Sequence, residues 1–519
     1  GAPITMDRSV EAPPAAEVDR EDDSPPVLNS ALTRLRSLNF FQAIFLIYLA
    51  LGLLIMTFLV PPFQKPDEPS HWYRAVSLSN LDFTCSQDRL GVYKVDMKSK
   101  YADLPELVHT WDVAFMGDKK FNPDWLSIDL TNPLLNENKR VYDICNLPPP
   151  GYLPNVVGIW LGKPFANPLV SFYAGRFVGV LFFVAALYYA IRLTPARYRL
   201  PIYFFAALPM VLHQAGAITY DTVQLPLFLV AYAYLTKFFD EPGRIRRLDL
   251  VVFMAVLILS ANIRSLTYVP LLGFFFAVPF AKVATSKLEY AKITGAFLVI
   301  SGLITAALAA IYVPRVSAIP VVEGDVSAQR QITYIYEHPG RFLDACYEAV
   351  RHQGDWLLMQ TMGIFGWLDA PMSYFPYYVL VFALGLVFFQ LMREDVKVAK
   401  LHEVGFIVAT VFATIACLFL SLYIVWSPVA AKQVLGLQGR YFIGLLPFTI
   451  FAVSQFALIV GQKRFINAML LVLAVILVYN MYRTIDLRYY GPEPAVVQPA
   501  PPPAPLPGVE AETTELAPP

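Results

Sequence analysis

The sequence predicts an all-α polytopic membrane protein, a bundle of about 11 membrane-spanning helices with two larger loops outside the membrane. Three observations point there. Of 519 residues, 56% are hydrophobic and only 15% charged, with a positive mean hydropathy, a composition of multispan membrane proteins and not of soluble multidomain enzymes. A window of about twenty residues, the length that crosses the hydrocarbon layer, repeatedly finds apolar runs. Lys and Arg gather in alternate loops.

Taken in order, residues 1–38 begin acidic and rich in Pro and Ala, without apolar periodicity, and read as a disordered cytoplasmic tail. No cleavable signal peptide is expected, since the first apolar run is long enough to span. The membrane domain covers 39–482, with spans near 39–60, 166–191, 200–217, 220–237, 249–262, 266–281, 293–313, 374–392, 403–425, 440–460 and 465–482. The fifth and sixth are short enough to be broken or tilted. Residues 483–519 form a Pro-rich tail, extended and outside the membrane, with the composition of a docking element for a protein partner.

Basic residues cluster at 31–38, 192–199, 237–247, 282–292, 393–400 and 462–464, whereas the short intervening loops near 214–221 and 262–265 carry none and one. The positive-inside rule then puts the N-terminus in the cytoplasm and the long loops 61–165 and 314–373 on the opposite side. Cys85 and Cys145 fall in the first of these loops and Cys346 in the second. In an oxidising compartment Cys85 and Cys145 are expected to pair, with free thiols or a bond to Cys346 as alternatives. Cys417 lies within a span as a small packing residue. A net charge of zero hides local segregation, and the overall balance argues for no nucleic-acid partner.

Directly after the first span comes "PPFQKPDEPSHWYRA" (61–75). Pro69 suits a helix start, so Asp67 and Glu68 open a short helix with His71 and Arg74 on a neighbouring face, expected to lie amphipathically on the outer membrane surface. An ordinary interfacial helix is the bland alternative. Other polar groups fall on the same side: His213, Gln214, Tyr220 and Asp221 between the third and fourth spans, Asn262 and Arg264 at the next outward junction, Gln438, Arg440 and Tyr441 at the tenth. Ionisable groups at membrane depth cost about 2.5–3.5 kcal/mol each on insertion scales, which makes them functional candidates. Singly each has a structural explanation, as a snorkelling arginine, a helix cap or a satisfied helix-end histidine. Jointly they supply guanidinium groups that match phosphate oxygens and carboxylates that can take a proton or hold a divalent cation.

With "PPPGYLPNVVGIWLG", "GRFVGVLFF", "LPMVLHQAGAITYD", "GIFGWLD" and "LGLQGRYFIGLLP", the opening motif resembles, over about residues 40–480, a large and functionally ill-defined bacterial family of integral membrane proteins grouped with the GT-C glycosyltransferases. The resemblance implies a GT-C-like bundle with its active site on the extracytoplasmic face and a catalytic acid in the first outer loop. Asp67 would be the general base, with Glu68 or Asp221 a second acid for acceptor or metal, Mg2+ or Mn2+. Arg440 and Arg264 would grip the donor phosphate, and His71, Arg74, Tyr220, Gln438 and Tyr441 would shape the pocket. Family members often carry a lysine where Arg264 stands.

The expectation is therefore an enzyme of the bacterial inner membrane that moves a sugar from a polyprenyl-phosphate lipid to a cell-envelope glycan acceptor with inversion. Two rivals remain: a lipid-linked glycan transporter, whose ionisable residues should recur deep in several spans and on both faces, and a non-catalytic partner in glycan assembly.

Overall fold

Asn39 starts the first helix. Its Oδ1 accepts the Gln42 N–H at 2.9 Å while Gln42 Oε1 accepts the Asn39 N–H at 3.2 Å, a reciprocal cap. The helix so begun, α1 (Phe40–Leu54), runs without a charged residue into a wider turn, Ile55–Leu59, and stops at Pro61–Pro62, where the ring nitrogens cannot continue the hydrogen-bond ladder. The computed structural model describes residues 39–492 apart from 90, 143, 265, 316–324, 392–395 and 457–462. The expected tail 1–38 and residues 493–519 of the expected tail 483–519 lie outside the described residues, whereas 483–489 continue the last helix.

Among the described residues six helices are long and apolar enough to cross a membrane: Phe40–Leu59, Pro168–Leu193, Asp221–Asp240, Lys287–Arg315, Tyr374–Leu391 and Leu401–Val425. The other expected spans take different forms. The third breaks into Leu200–Ala207 and Pro209–Ala215, because Pro209 supplies no N–H and pushes Leu208 into an extended conformation. The fifth is 16 residues, Arg247–Asn262, and the sixth is a 3-10 turn series, Val269–Ala277. The tenth opens with 3-10 turns before Leu446–Ser454. The last helix, Lys463–Tyr489, continues about two turns beyond the expected end of the eleventh span.

Within the bundle, α4 (Pro168–Leu193) packs against both α3 (Leu153–Gly162) and α5 (Asp221–Asp240), and α5 is buried along nearly its whole length. The α3–α4 approach depends on Gly158, where a Cβ would fall 2.2 Å from Ala174 O.

The segment 61–165 is an ordered subdomain. Its helix α2 (Glu68–Ser79) is covered by α3 and by an antiparallel sheet of β1 (Ser86–Gln87), β2 (Tyr93–Lys98) and β3 (Asn138–Tyr142), with Val95 opposite Val141. Trp72, Ala75 and Val76 from the helix and Val95 and Met97 from the sheet make a second apolar core. This corrects the expectation of a helix lying on the membrane surface: the face opposite the apolar one is also buried, and its polar groups find partners inside the protein. Cys85 and Cys145 are joined by a disulfide, while Cys346 and Cys417 are free thiols. Residues 325–373 form two helices, Ala328–Glu337 and Pro339–Gly363, and a short hairpin pairing Phe365 with Ala370.

Candidate functional site

The stretch 61–67 is held from three sides. Gln64 Nε2 donates to Thr110 O at 3.0 Å, Trp367 Nε1 donates to Phe63 O at 3.0 Å, and the wholly buried Lys65 ammonium donates to His213 O at 3.0 Å and to Gly216 O. These carbonyls end the 209–215 helix, where the helix dipole favours a cation. Burial first, and then Arg176, pulls the Lys65 pKa well below the ordinary lysine value, with Glu68 opposing.

Glu68 does not join the site as the second acid that was expected. Both of its oxygens face the Arg176 guanidinium, at 2.9 Å to Nε and 2.6 Å to Nη2, and Oε1 also accepts the Ile218 N–H at 3.0 Å. Arg176 spends its remaining N–H groups on the carbonyls of Thr57, Val60 and Pro61, in and just after the wider turn that ends α1. Both side chains are fully buried, so the pair fastens the start of α2 to α1 and α4 and leaves no oxygen for substrate or metal.

Asp67, one residue earlier, points the other way. Its backbone is left-handed (φ 60°, ψ 9°), a conformation Asp tolerates better than most side chains, and its carboxylate makes no cap to the helix it precedes. Instead Oδ2 accepts from Arg440 Nη2 at 2.7 Å, with the Asp67 side chain 45% exposed and that of Arg440 2%. Arg440 is placed by Gly439, whose N–H donates to Gln360 Oε1 at 2.8 Å and where a Cβ would lie 2.4 Å from Leu357 O and Thr361 N. The other end of the guanidinium, Nη1, lies 3.4 Å from Pro66 O and Gln214 Oε1 and 3.7 Å from Asp221 Oδ2. One arginine therefore sits between two carboxylates.

Around this pair stands an aromatic wall. The Arg264 guanidinium lies 4.2 Å from the Tyr441 ring centroid and 5.9 Å from that of Tyr220, with Nη1 buried and without a hydrogen-bond partner among the described residues. His71 Nδ1 is 2.6 Å from Tyr152 Oη, and its ring meets Tyr220 edge-on at 5.5 Å. The His71 pKa is pushed down to about 3, by burial first, with Asp67 opposing and Arg440 and Arg264 adding to the fall.

Asp67, His71, Tyr220, Asp221, Arg264, Arg440 and Tyr441 thus converge as the sequence pattern anticipated, although they come from four separate stretches. Arg74 does not: its guanidinium donates to Leu147 O and Phe83 O and approaches the Cys85 sulfur, so it braces the disulfide. Gln438 Oε1 is buried without a partner among the described residues. Asn262 turns back to Ile258 O. The divalent cation left open for Glu68 or Asp221 finds no cage. Each carboxylate faces a guanidinium, and no three His, Cys, Asp or Glu side chains converge on one point among the described residues.

Lys65, Tyr152 and Arg176 were not anticipated as partners in this region. Arg176 carried a usable signal, a lone charge within an apolar run, which is costly unless paired. Tyr152 lies in a proline-rich stretch that reads simply as a rigid connector.

No curated protein matches the chain, and no solved structure matches it. A family model described as "Predicted membrane protein (DUF2142)" matches residues 49–449, most of the membrane domain and the whole constellation just described, and the chain belongs to that family of membrane proteins.

Proposed function

We propose that this membrane protein is a polyprenyl-phosphate-sugar-dependent glycosyltransferase of the GT-C type. In this reading it is a protein of the bacterial inner membrane with about 11 membrane segments, its N-terminus in the cytoplasm and its site outside. The observation that carries the proposal is the Arg440–Asp67 contact: a buried arginine whose only half-exposed partner among the described residues is a carboxylate. An arginine so placed can exchange that carboxylate for the phosphate of a lipid lying at headgroup depth, with the free Arg264 Nη1 as a second donor.

The exchange gives the freed carboxylate its task. Asp67 accepts the proton of the acceptor hydroxyl as its oxygen bonds to the anomeric carbon. The bond from that carbon to the phosphate oxygen breaks, and the electron pair leaves on polyprenyl phosphate, whose charge Arg440 and Arg264 neutralise. A single displacement inverts the anomeric centre. Tyr220, Tyr441 and His71 line the space, His71 as a neutral ring, and Asp221 holds Arg440 from the side away from Asp67. No step requires a metal.

The test is sugar transfer from polyprenyl-phosphate-linked donors by purified protein, read as release of polyprenyl monophosphate. Loss of release in Asp67→Asn with lipid phosphate still bound fits the proposal. Full transfer by both Asp67→Asn and Asp221→Asn would sink it.

A further inference from the structure

We infer that a cleft beside the Asp67 loop binds neutral hexose-based oligosaccharides and so holds the acceptor glycan. The inference rests on the glycosyltransferase reading and names the acceptor's binding surface. The cleft, of about 550 Å3, is lined by Trp111, Phe121 and Trp125 together with Asp112, Lys119 and Asn122. Its volume is that of a small-molecule site. Flat rings beside carboxylate, amide and ammonium groups suit a sugar, whose C–H faces lie on aromatic rings while its equatorial hydroxyls bond sideways.

The rings are held in advance. His109 stacks on Trp125 with centroids 4.5 Å apart and bonds Asp112 through Nδ1 at 2.7 Å. Phe121 meets Trp125 edge-on at 5.6 Å, and its N–H donates to Tyr489 O at 2.8 Å. Trp111 donates to Glu106 Oε1 at 3.3 Å and lies against Trp367 at 6.0 Å. Rigid walls reduce the ordering cost that weakens sugar binding.

Position supplies the second argument. Trp367 bonds Phe63 O, and Gln64 bonds Thr110 O next to Trp111. Both supports of the cleft therefore touch the seven-residue stretch that ends at Asp67. A glycan lying across Trp125 and Trp111 would reach toward that carboxylate.

The other occupant these rings could serve is the bilayer itself, since Trp111 and Phe115 are exposed beside two lysines. The experiment separates the two. Full-length protein in phosphatidylcholine nanodiscs is titrated with maltotriose, cellotriose and chitotriose by ligand-observed NMR. At least one should bind, and Trp125→Ala or Trp111→Ala should weaken it about tenfold. Trp125→Tyr, which keeps a stacking face, should retain most of the binding and shows that the fold survives. Binding by none of the three, or binding unchanged in both alanine variants, overturns the inference. So does strong quenching by brominated lipid that Trp111→Phe removes, since it would place the ring in the membrane. The titration is run on wild-type protein without donor lipid, so trisaccharide binding is read apart from sugar transfer, and a failed cleft and a failed transfer site give different results.

Discussion

Arg440 Nη2 and Asp67 Oδ2 meet at 2.7 Å across 373 residues of chain. The contact joins the first long segment to the tenth expected span and leaves the carboxylate half-exposed and the guanidinium enclosed. An anion arriving from solvent therefore meets a carboxylate that can swing away and a cation that cannot.

Competition of this kind has a measurable sign. Asp67→Asn removes the charge that opposes a phosphate and should tighten polyprenyl monophosphate binding several-fold while lowering transfer about 10²- to 10⁴-fold. Arg440→Lys should lose phosphate binding, because an ammonium cannot make the bidentate contact. Lipid binding by fluorescence-labelled polyprenyl phosphate and a release assay check both. Weaker binding in Asp67→Asn would mean that the contact does not guard the phosphate position.

Glu68 should behave in the opposite way to its neighbour. Glu68→Gln leaves Arg176 charged and buried without its counter-ion, a loss of about 3–5 kcal/mol. Thermal unfolding in detergent should therefore fall sharply for Glu68→Gln and little for Asp67→Asn. Equal stability of the two variants would remove the structural role assigned to Glu68.

His71 makes stability depend on pH. Its folded pKa of about 3 lies below the unfolded value of 6.5, so between those values the unfolded chain binds more protons than the folded one. Its contribution is fully present above pH 6.5 and is lost progressively as pH falls toward 3, by roughly 2–3 kcal/mol at pH 4.5. His71→Gln should flatten that acid limb of the melting-temperature profile. A limb unchanged in the variant would assign the acid sensitivity elsewhere.

Reduction of the Cys85–Cys145 bond, which closes a separation of 60 residues, should cost about 2–4 kcal/mol by freeing the loop 85–145 in the unfolded chain. Mild reductant should lower the melting temperature and make both thiols react with maleimide. Cys346 and Cys417 serve as the internal reference.

The apolar runs were readable because length and composition alone define them, and the convergence of Asp67, Asp221, Arg264 and Arg440 was readable because the sequence pattern puts each costly charge at the same end of the expected spans. What stayed hidden depends on distance in the chain. Glu68 and Asp67 look interchangeable in sequence, and only the helix packing that brings Arg176 to Glu68, 108 residues away, separates their roles. The burial of α2 likewise depends on a sheet whose strands lie up to 63 residues further on, since Ser79 ends the helix and β3 closes near Tyr142. The break at Leu208–Pro209 was legible in principle from proline geometry, yet the surrounding hydrophobic run masks it.

Arg488, near the end of the last helix, donates to the carbonyls of Lys119 and Val113 and pairs with Asp369. Lys120 returns the contact to Leu487 O. The wall of the cleft formed early in the chain is thus clasped by almost the final described turn. During synthesis the ribosome must pass residue 488 before that clasp can shut, so the subdomain emerges first and is finished last, and a chain released even one turn short of Arg488 would be inserted yet incomplete.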